Sequence, residues 1–134
     1  MRTHLNKLAN FDHRLFRALA LGWMALIFYL SSQAYIPVPG VIEGQDKLMH
    51  FGAYAALGVF VAGGWRRPGQ PLSWRDLTIA VLVVIVYGAS DEFHQSFVPG
   101  RQVSAWDLLA DSLGGLFGAW LIYRGRAAPI RPPT

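Results

Sequence analysis

The chain has no cysteine. Disulfides, cysteine-bound zinc, iron–sulfur clusters and thiol nucleophiles are therefore excluded. Charge is also scarce. Asp, Glu, Lys and Arg make up 15% of the 134 residues, against roughly 25% in an ordinary soluble domain. The few charges sit in short clusters. The stretches between them lack the polar face that a helix of a soluble protein carries. The formal net charge is +4, which in a soluble protein would raise nucleic-acid binding. Here membrane topology accounts for where the basic residues lie, so no nucleic-acid partner is expected.

Four apolar runs occupy about residues 15–32, 48–65, 77–98 and 105–123. Each is roughly 18–22 residues long, enough to cross a hydrocarbon core about 30 Å thick. The predicted fold is all-α: an integral membrane protein with four transmembrane helices in a compact bundle. Residues 1–14 form an N-terminal segment, 15–123 the membrane domain and 124–134 a proline-rich, irregular tail. Pro37, Pro39, Gly40 and Gly44 mark the first connection, Pro68-Gly69 the second and Pro99-Gly100 the third. Ser32-Gln33-Ala34 after the first run resembles a signal-peptide cleavage site. The length of that run and the three spans after it favour a retained helix.

Lys and Arg set the orientation. Arg2, Lys7, Arg14, Arg17, Arg66, Arg67, Arg75, Arg124, Arg126 and Arg131 fall on one side of such a topology. Only Lys47 and Arg101 fall on the other. The positive-inside rule then predicts a protein of the inner (cytoplasmic) membrane with both termini in the cytoplasm.

The remaining ionisable groups gather at the opposite, outer end. Asp46, Lys47 and His50 open the second run. Asp91, Glu92, His94 and Gln95 close the third. Asp107 and Asp111 open the fourth. Asp46/His50, Asp91/Gln95 and Asp107/Asp111 are each four apart and share a helix face. One face from each helix is thus expected to look into a common cavity. With Glu43 and Arg101 counted, six acids meet two bases, a formal −4. A low-dielectric site does not hold that unpaired. Protonated carboxyls, a protonated histidine or a bound cation would each resolve it, and the sequence leaves the three open.

Small residues at four-residue spacing, Gly114/Gly118, Gly52/Ala56 and Gly58/Ala62, allow helices to approach closely. Packing inside one bundle is the expected use, and oligomeric state is left open.

Ser31-Ser32-Gln33, then Asp46-Lys47-Leu48-Met49-His50-Phe51 with Tyr54 and Gly58, are followed by Asp91-Glu92-Phe93-His94-Gln95. Pro99-Gly100-Arg101, Asp107, Asp111 and Gly114-Gly115 complete the series. This ordered set, across about residues 15–123, resembles the VanZ-like family, small multi-pass membrane proteins named for a protein linked to teicoplanin resistance. The resemblance implies a membrane-embedded fold. It implies a glycopeptide-resistance role only by analogy, and no particular reaction. The sequence departs from the family pattern in carrying acids at Asp111, where asparagine is frequent, and at Asp91.

Two functional readings of different class follow from the residues. In the first, the chain acts on an envelope lipid or lipid-linked saccharide by acid/base chemistry at the outer leaflet. Glu92 is the general acid or base and His50 its proton-transfer partner. Arg101 binds a phosphate. Asp46 and Asp107 orient Arg101 and His50 or Lys47, and Lys47, Gln95, Asp91 and Asp111 complete the substrate site. In the second, the same groups hold a polar head group without chemistry, as in an accessory lipid-binding protein. An ion pathway is disfavoured, because the inner halves of the runs are almost wholly apolar. His50, Asp46, Glu92, His94, Asp107 and Asp111 carry metal-donor atoms, but no H-E-x-x-H or similar pair is present. No metal ligand and no cofactor is therefore assigned.

Overall fold

Polar caps and apolar interiors divide the chain into four helices. The computed structural model describes residues 13–37, 39–67 and 70–125. The expectations for the extreme N-terminus and the tail, including Arg2, Lys7, Arg126 and Arg131, lie outside the described residues. The helices are α1 (His13–Ser31), α2 (Gln45–Trp65), α3 (Trp74–Gln95) and α4 (Ala105–Arg124). No strand occurs among the described residues.

Both α2 and α3 start before their apolar runs. A helix start is capped by polar residues that a hydropathy reading passes over. At α3, Ser73 Oγ accepts from the Asp76 N–H at 3.1 Å, and the Ser73 N–H donates to Asp76 Oδ2 at 3.1 Å. This reciprocal pair satisfies two donors of the first turn. Before α2, Gly44 takes φ 78°, a left-handed conformation that glycine adopts without Cβ strain. The third run was expected to reach Val98, but α3 ends at Gln95. Pro99 and a left-handed Gly100 (φ 83°) stand just beyond.

By length and composition, α1, α2 and α3 are apolar enough to cross a membrane. Among the described residues α4 does not join them, although it is 20 residues long. Asp107 and Asp111 in its first two turns lower its apolar character.

α2 is the central helix and touches the other three, whereas α1 and α4 share no contact among the described residues. α2 and α4 run parallel, with Gly114 against Phe51 and Gly118 against Ala55. α1 runs antiparallel to α2, with Phe16 against Gly63. Gly58, Gly114, Gly115 and Gly118 sit where a Cβ would overlap a neighbouring backbone or side chain. The small-residue expectation holds for them and for use within one bundle. It does not hold at Gly52, beside which there is open space. Three side-chain bonds to backbone carbonyls tie α1 to its neighbours: Arg17 to Gly64, Trp23 to Ala53 and Tyr87 to Met24, at 2.8, 2.8 and 2.6 Å.

The bundle is apolar on its surface as well as in its core. Its interior holds Tyr54, Leu57, Val84, several glycines and alanines, and six polar side chains. Leu21, Phe28, Leu82, Val86, Leu109, Leu113, Leu116 and Phe117 are exposed on the outside. So much exposed apolar surface suits hydrocarbon, where small-residue packing and internal hydrogen bonds hold helices together.

Candidate functional site at one end of the bundle

The parallel course of α2 and α4, with α3 ending beside their starts, collects the polar groups at one end. Asp91, Glu92, Gln95, Asp107 and Asp111 are all buried there. The shared faces expected from four-residue spacing are realised for Asp107/Asp111 and for Asp91/Gln95. Both members of the first pair meet His50. Its Nδ1 lies 2.9 Å from Asp111 Oδ1, and its Nε2 lies 3.8 Å from Asp107 Oδ2. In the second pair, Gln95 Nε2 donates to Asp91 Oδ2 and to Ser31 Oγ, each at 3.2 Å.

Asp46 does not serve His50, despite the spacing. It is exposed and pairs with Lys47 at 2.6 Å. Lys47 also pairs with Asp107 and so bridges the start of α2 to that of α4. Asp111 takes the histidine because α4 packs close against α2 at Phe51 and Gly114. A contact between helices has displaced one along a helix.

Arg101 is held by backbone carbonyls rather than by the acids expected to orient it. Its Nε donates to the Gln33 carbonyl at 2.9 Å and a terminal nitrogen donates to the Leu30 carbonyl at 2.8 Å. It thereby closes the C-terminal end of α1, where carbonyls lack helical partners. Asp107 engages Lys47 and His50 rather than Arg101. His94 leaves the cluster: its ring packs 4.4 Å from that of Phe28, and Nε2 lies 3.4 Å from Ser32 Oγ.

Three contributors were given no role at the site by sequence reasoning. Tyr54 Oη donates to Asp91 Oδ2 at 3.3 Å. Ser31 receives Gln95. The Ser104 N–H donates to Glu92 Oε2 at 3.2 Å. Tyr54 follows His50 by four residues on the same face of α2, and Tyr54 and Ser31 both stand among the residues that carry the family resemblance; Ser104 carried no signal.

Two regions result, with His50 between them. On one side is a cavity of about 530 Å³. Ile27, Leu30, Ile36, Ile42 and Met49 form apolar walls, and His50, Tyr54, Asp91, Gln95 and Arg101 supply polar groups. On the other side, ligand atoms of His50, Glu92 and Asp107 lie within 4.8 Å of one another. Asp91 Oδ1, Glu92 Oε1 and Asp111 Oδ2 are buried without a hydrogen-bond partner among the described residues. Such atoms are few in native structures and each calls for an explanation.

A family model described as VanZ/LLP1 matches residues 16–126. The chain belongs to the VanZ/LLP1 family. The match spans all but the first few residues of the four helices. Membership and the apolar helices together make this a membrane protein. No curated protein and no solved structure matches the chain.

Proposed function

We propose that this VanZ/LLP1 protein crosses the inner membrane four times and receives an envelope lipid or lipid-linked saccharide at the outer leaflet. The carrying observation is the cavity beside His50, with apolar walls and polar groups that include Arg101. That combination suits an amphiphile with a polar, phosphate-bearing head. Two Arg101 donors are used on carbonyls, and a guanidinium has five, so some remain for phosphate oxygens. The start of α2, at Gly44 and Gln45, also lines the cavity, and a helix N-terminus favours anions. Acid/base chemistry would fall to Glu92 and His50. The alternative is an accessory protein that holds the same lipid without changing it, linked to glycopeptide resistance through the family.

Support for a fourth crossing comes from packing. α4 lies parallel to α2 along the small-residue seam, so it occupies much the same depth as a helix apolar enough to span. Its two acids point inward and are buried, while Leu109, Leu113, Leu116 and Phe117 face outward. The absence of cysteine makes the topology easy to read. In intact cells, Gln102→Cys is expected to react with a membrane-impermeant maleimide, and Gly125→Cys only after the membrane is opened. Equal labelling of both from outside would mean that α4 does not cross.

The lipid reading is tested by native mass spectrometry of gently purified protein, wild type beside Arg101→Ala. The expected result is a phospholipid or polyprenyl-phosphate adduct on the wild type, reduced at least tenfold in the variant. An adduct of equal abundance on both proteins would remove Arg101 from the binding site. Incubation with the adducted lipid then separates the two readings. Wild-type turnover, absent in Glu92→Gln, supports chemistry, and retention without turnover supports the accessory role.

A further inference from the structure

The two ring nitrogens of His50 face two carboxylates of α4. Its Nδ1 faces Asp111 Oδ1 at 2.9 Å, and Asp111 is fully buried (0% exposed). With Asp111 ionised and the imidazole neutral, the proton lies on Nδ1 and Nε2 keeps its lone pair. Nε2 is the nitrogen that faces Asp107, at 3.8 Å from Oδ2. A histidine that ligates a metal through one nitrogen and donates its other N–H to a carboxylate is the usual arrangement. The carboxylate fixes the tautomer and ring orientation.

Beside His50 stand two carboxylates from two other helices. Glu92 comes from the end of α3 and Asp107 from the start of α4, and one donor atom from each of the three residues lies within 4.8 Å of the others. Glu92 is 4% exposed. One of its oxygens accepts from the Ser104 N–H, and the other, Oε1, is buried without a hydrogen-bond partner among the described residues. A buried carboxylate oxygen in that state sacrifices its hydration for nothing. Lys47 compensates Asp107 from one side, but no lysine or arginine pairs with Glu92 or Asp111 among the described residues.

We propose that His50, Glu92 and Asp107 bind one first-row divalent transition-metal ion, with Asp111 as the positioning residue behind His50. One imidazole and two carboxylates suit zinc, manganese, iron or cobalt, whereas magnesium and calcium prefer all-oxygen shells. Ligand atoms about 2.0–2.2 Å from a tetrahedral ion stand roughly 3.3–3.6 Å apart. Binding therefore draws the three side chains slightly inward. Three protein ligands leave a coordination position for water or a substrate oxygen, as in catalytic rather than structural sites. That position would lie beside the cavity, since His50 lines both regions. With an ion seated, Glu92 and His50 are ligands, and their loss would abolish chemistry under either account. Activity therefore does not separate the accounts, and direct binding does.

The test uses the full chain in detergent, stripped with chelator and titrated with Co²⁺, then competed with Zn²⁺, Mn²⁺ and Mg²⁺. The expected result is one equivalent of Co²⁺ with visible d–d absorption, displaced by Zn²⁺ and not by millimolar Mg²⁺. Glu92→Gln is expected to weaken binding at least 100-fold. Asp111→Asn, acting through His50, is expected to weaken it about 10–100-fold. Lys47→Met is expected to tighten binding, because it removes a cation that competes for Asp107. That gain does not depend on how well the Glu92 variant folds. No Co²⁺ uptake by the wild type, or uptake unchanged in Glu92→Gln and Lys47→Met, overturns the proposal. So does binding that Mg²⁺ displaces. No lipid enters the titration, so the ion site and the lipid reading stand or fall separately.

Discussion

Gly118→Val is expected to abolish the folded bundle. A Cβ at Gly118 would overlap the Ala55 carbonyl oxygen and press on the Ala55 carbonyl carbon and the Val59 nitrogen. These are backbone atoms of α2, so no rotamer change relieves the clash. Valine adds two methyl groups to the overlap. Overpacking in a well-packed interior costs about 1–3 kcal/mol even where side chains can give way, and here α2 itself must move. Moving α2 away from α4 would also pull His50 from Asp111, since the same seam sets both contacts. The expected outcome is loss of the monodisperse species on gel filtration in mild detergent, with a fall of tens of degrees in any residual melting transition. Gly52→Val is the matched control. Nothing stands within 4 Å of a Cβ there, so it is expected to behave as wild type apart from a small change in helix propensity. Equal behaviour of the two variants would refute the α2–α4 seam.

The same seam explains which parts of the molecule were legible in the sequence. Four helices were readable because apolar runs of spanning length are a long, redundant signal. The gathering of Asp91, Glu92, Asp107, Asp111 and His50 at one end followed from alternating helix direction alone. Partner choice did not follow. Spacing along α2 offered Asp46 to His50, but spacing reports only one helix, and Asp111 arrives from another whose distance is set by Gly114 and Gly118. Arg101 shows the same limit from the loop side. Its position near the polar end was readable, whereas its attachment to the Leu30 and Gln33 carbonyls depends on where α1 stops. Helix starts were read late because Ser73 and Asp76 cap α3 with polar groups. The sequence reads α4 as a fourth span, yet by composition it falls short of one. Composition counts Asp107 and Asp111 as polar without registering that both face inward.

His50 and Asp111 form the pair whose disruption separates coupling from mere proximity. The two halves of the pair are not equivalent. His50→Leu leaves Asp111 fully buried, its Oδ1 stripped of its partner and its Oδ2 already without one. Removing one member of a buried pair costs about 3–5 kcal/mol, because the other charge is left uncompensated. Asp111→Leu removes the charge itself and leaves a half-buried imidazole that can reach water. It is expected to cost less than His50→Leu, since the imidazole is partly exposed and can give up its charge where a fully buried carboxylate cannot be hydrated. The double variant His50→Leu/Asp111→Leu is expected to recover most of what His50→Leu loses. The measurement is unfolding in chelator-treated detergent micelles, so that metal binding does not enter. Equal, additive losses from the two single changes would show that the residues stand near each other without holding each other. Recovery in the double variant would establish that α2 and α4 are joined at the polar end by one buried interaction. It would also establish that the orientation of the His50 ring, on which both acid/base and metal chemistry depend, is set from the opposite helix.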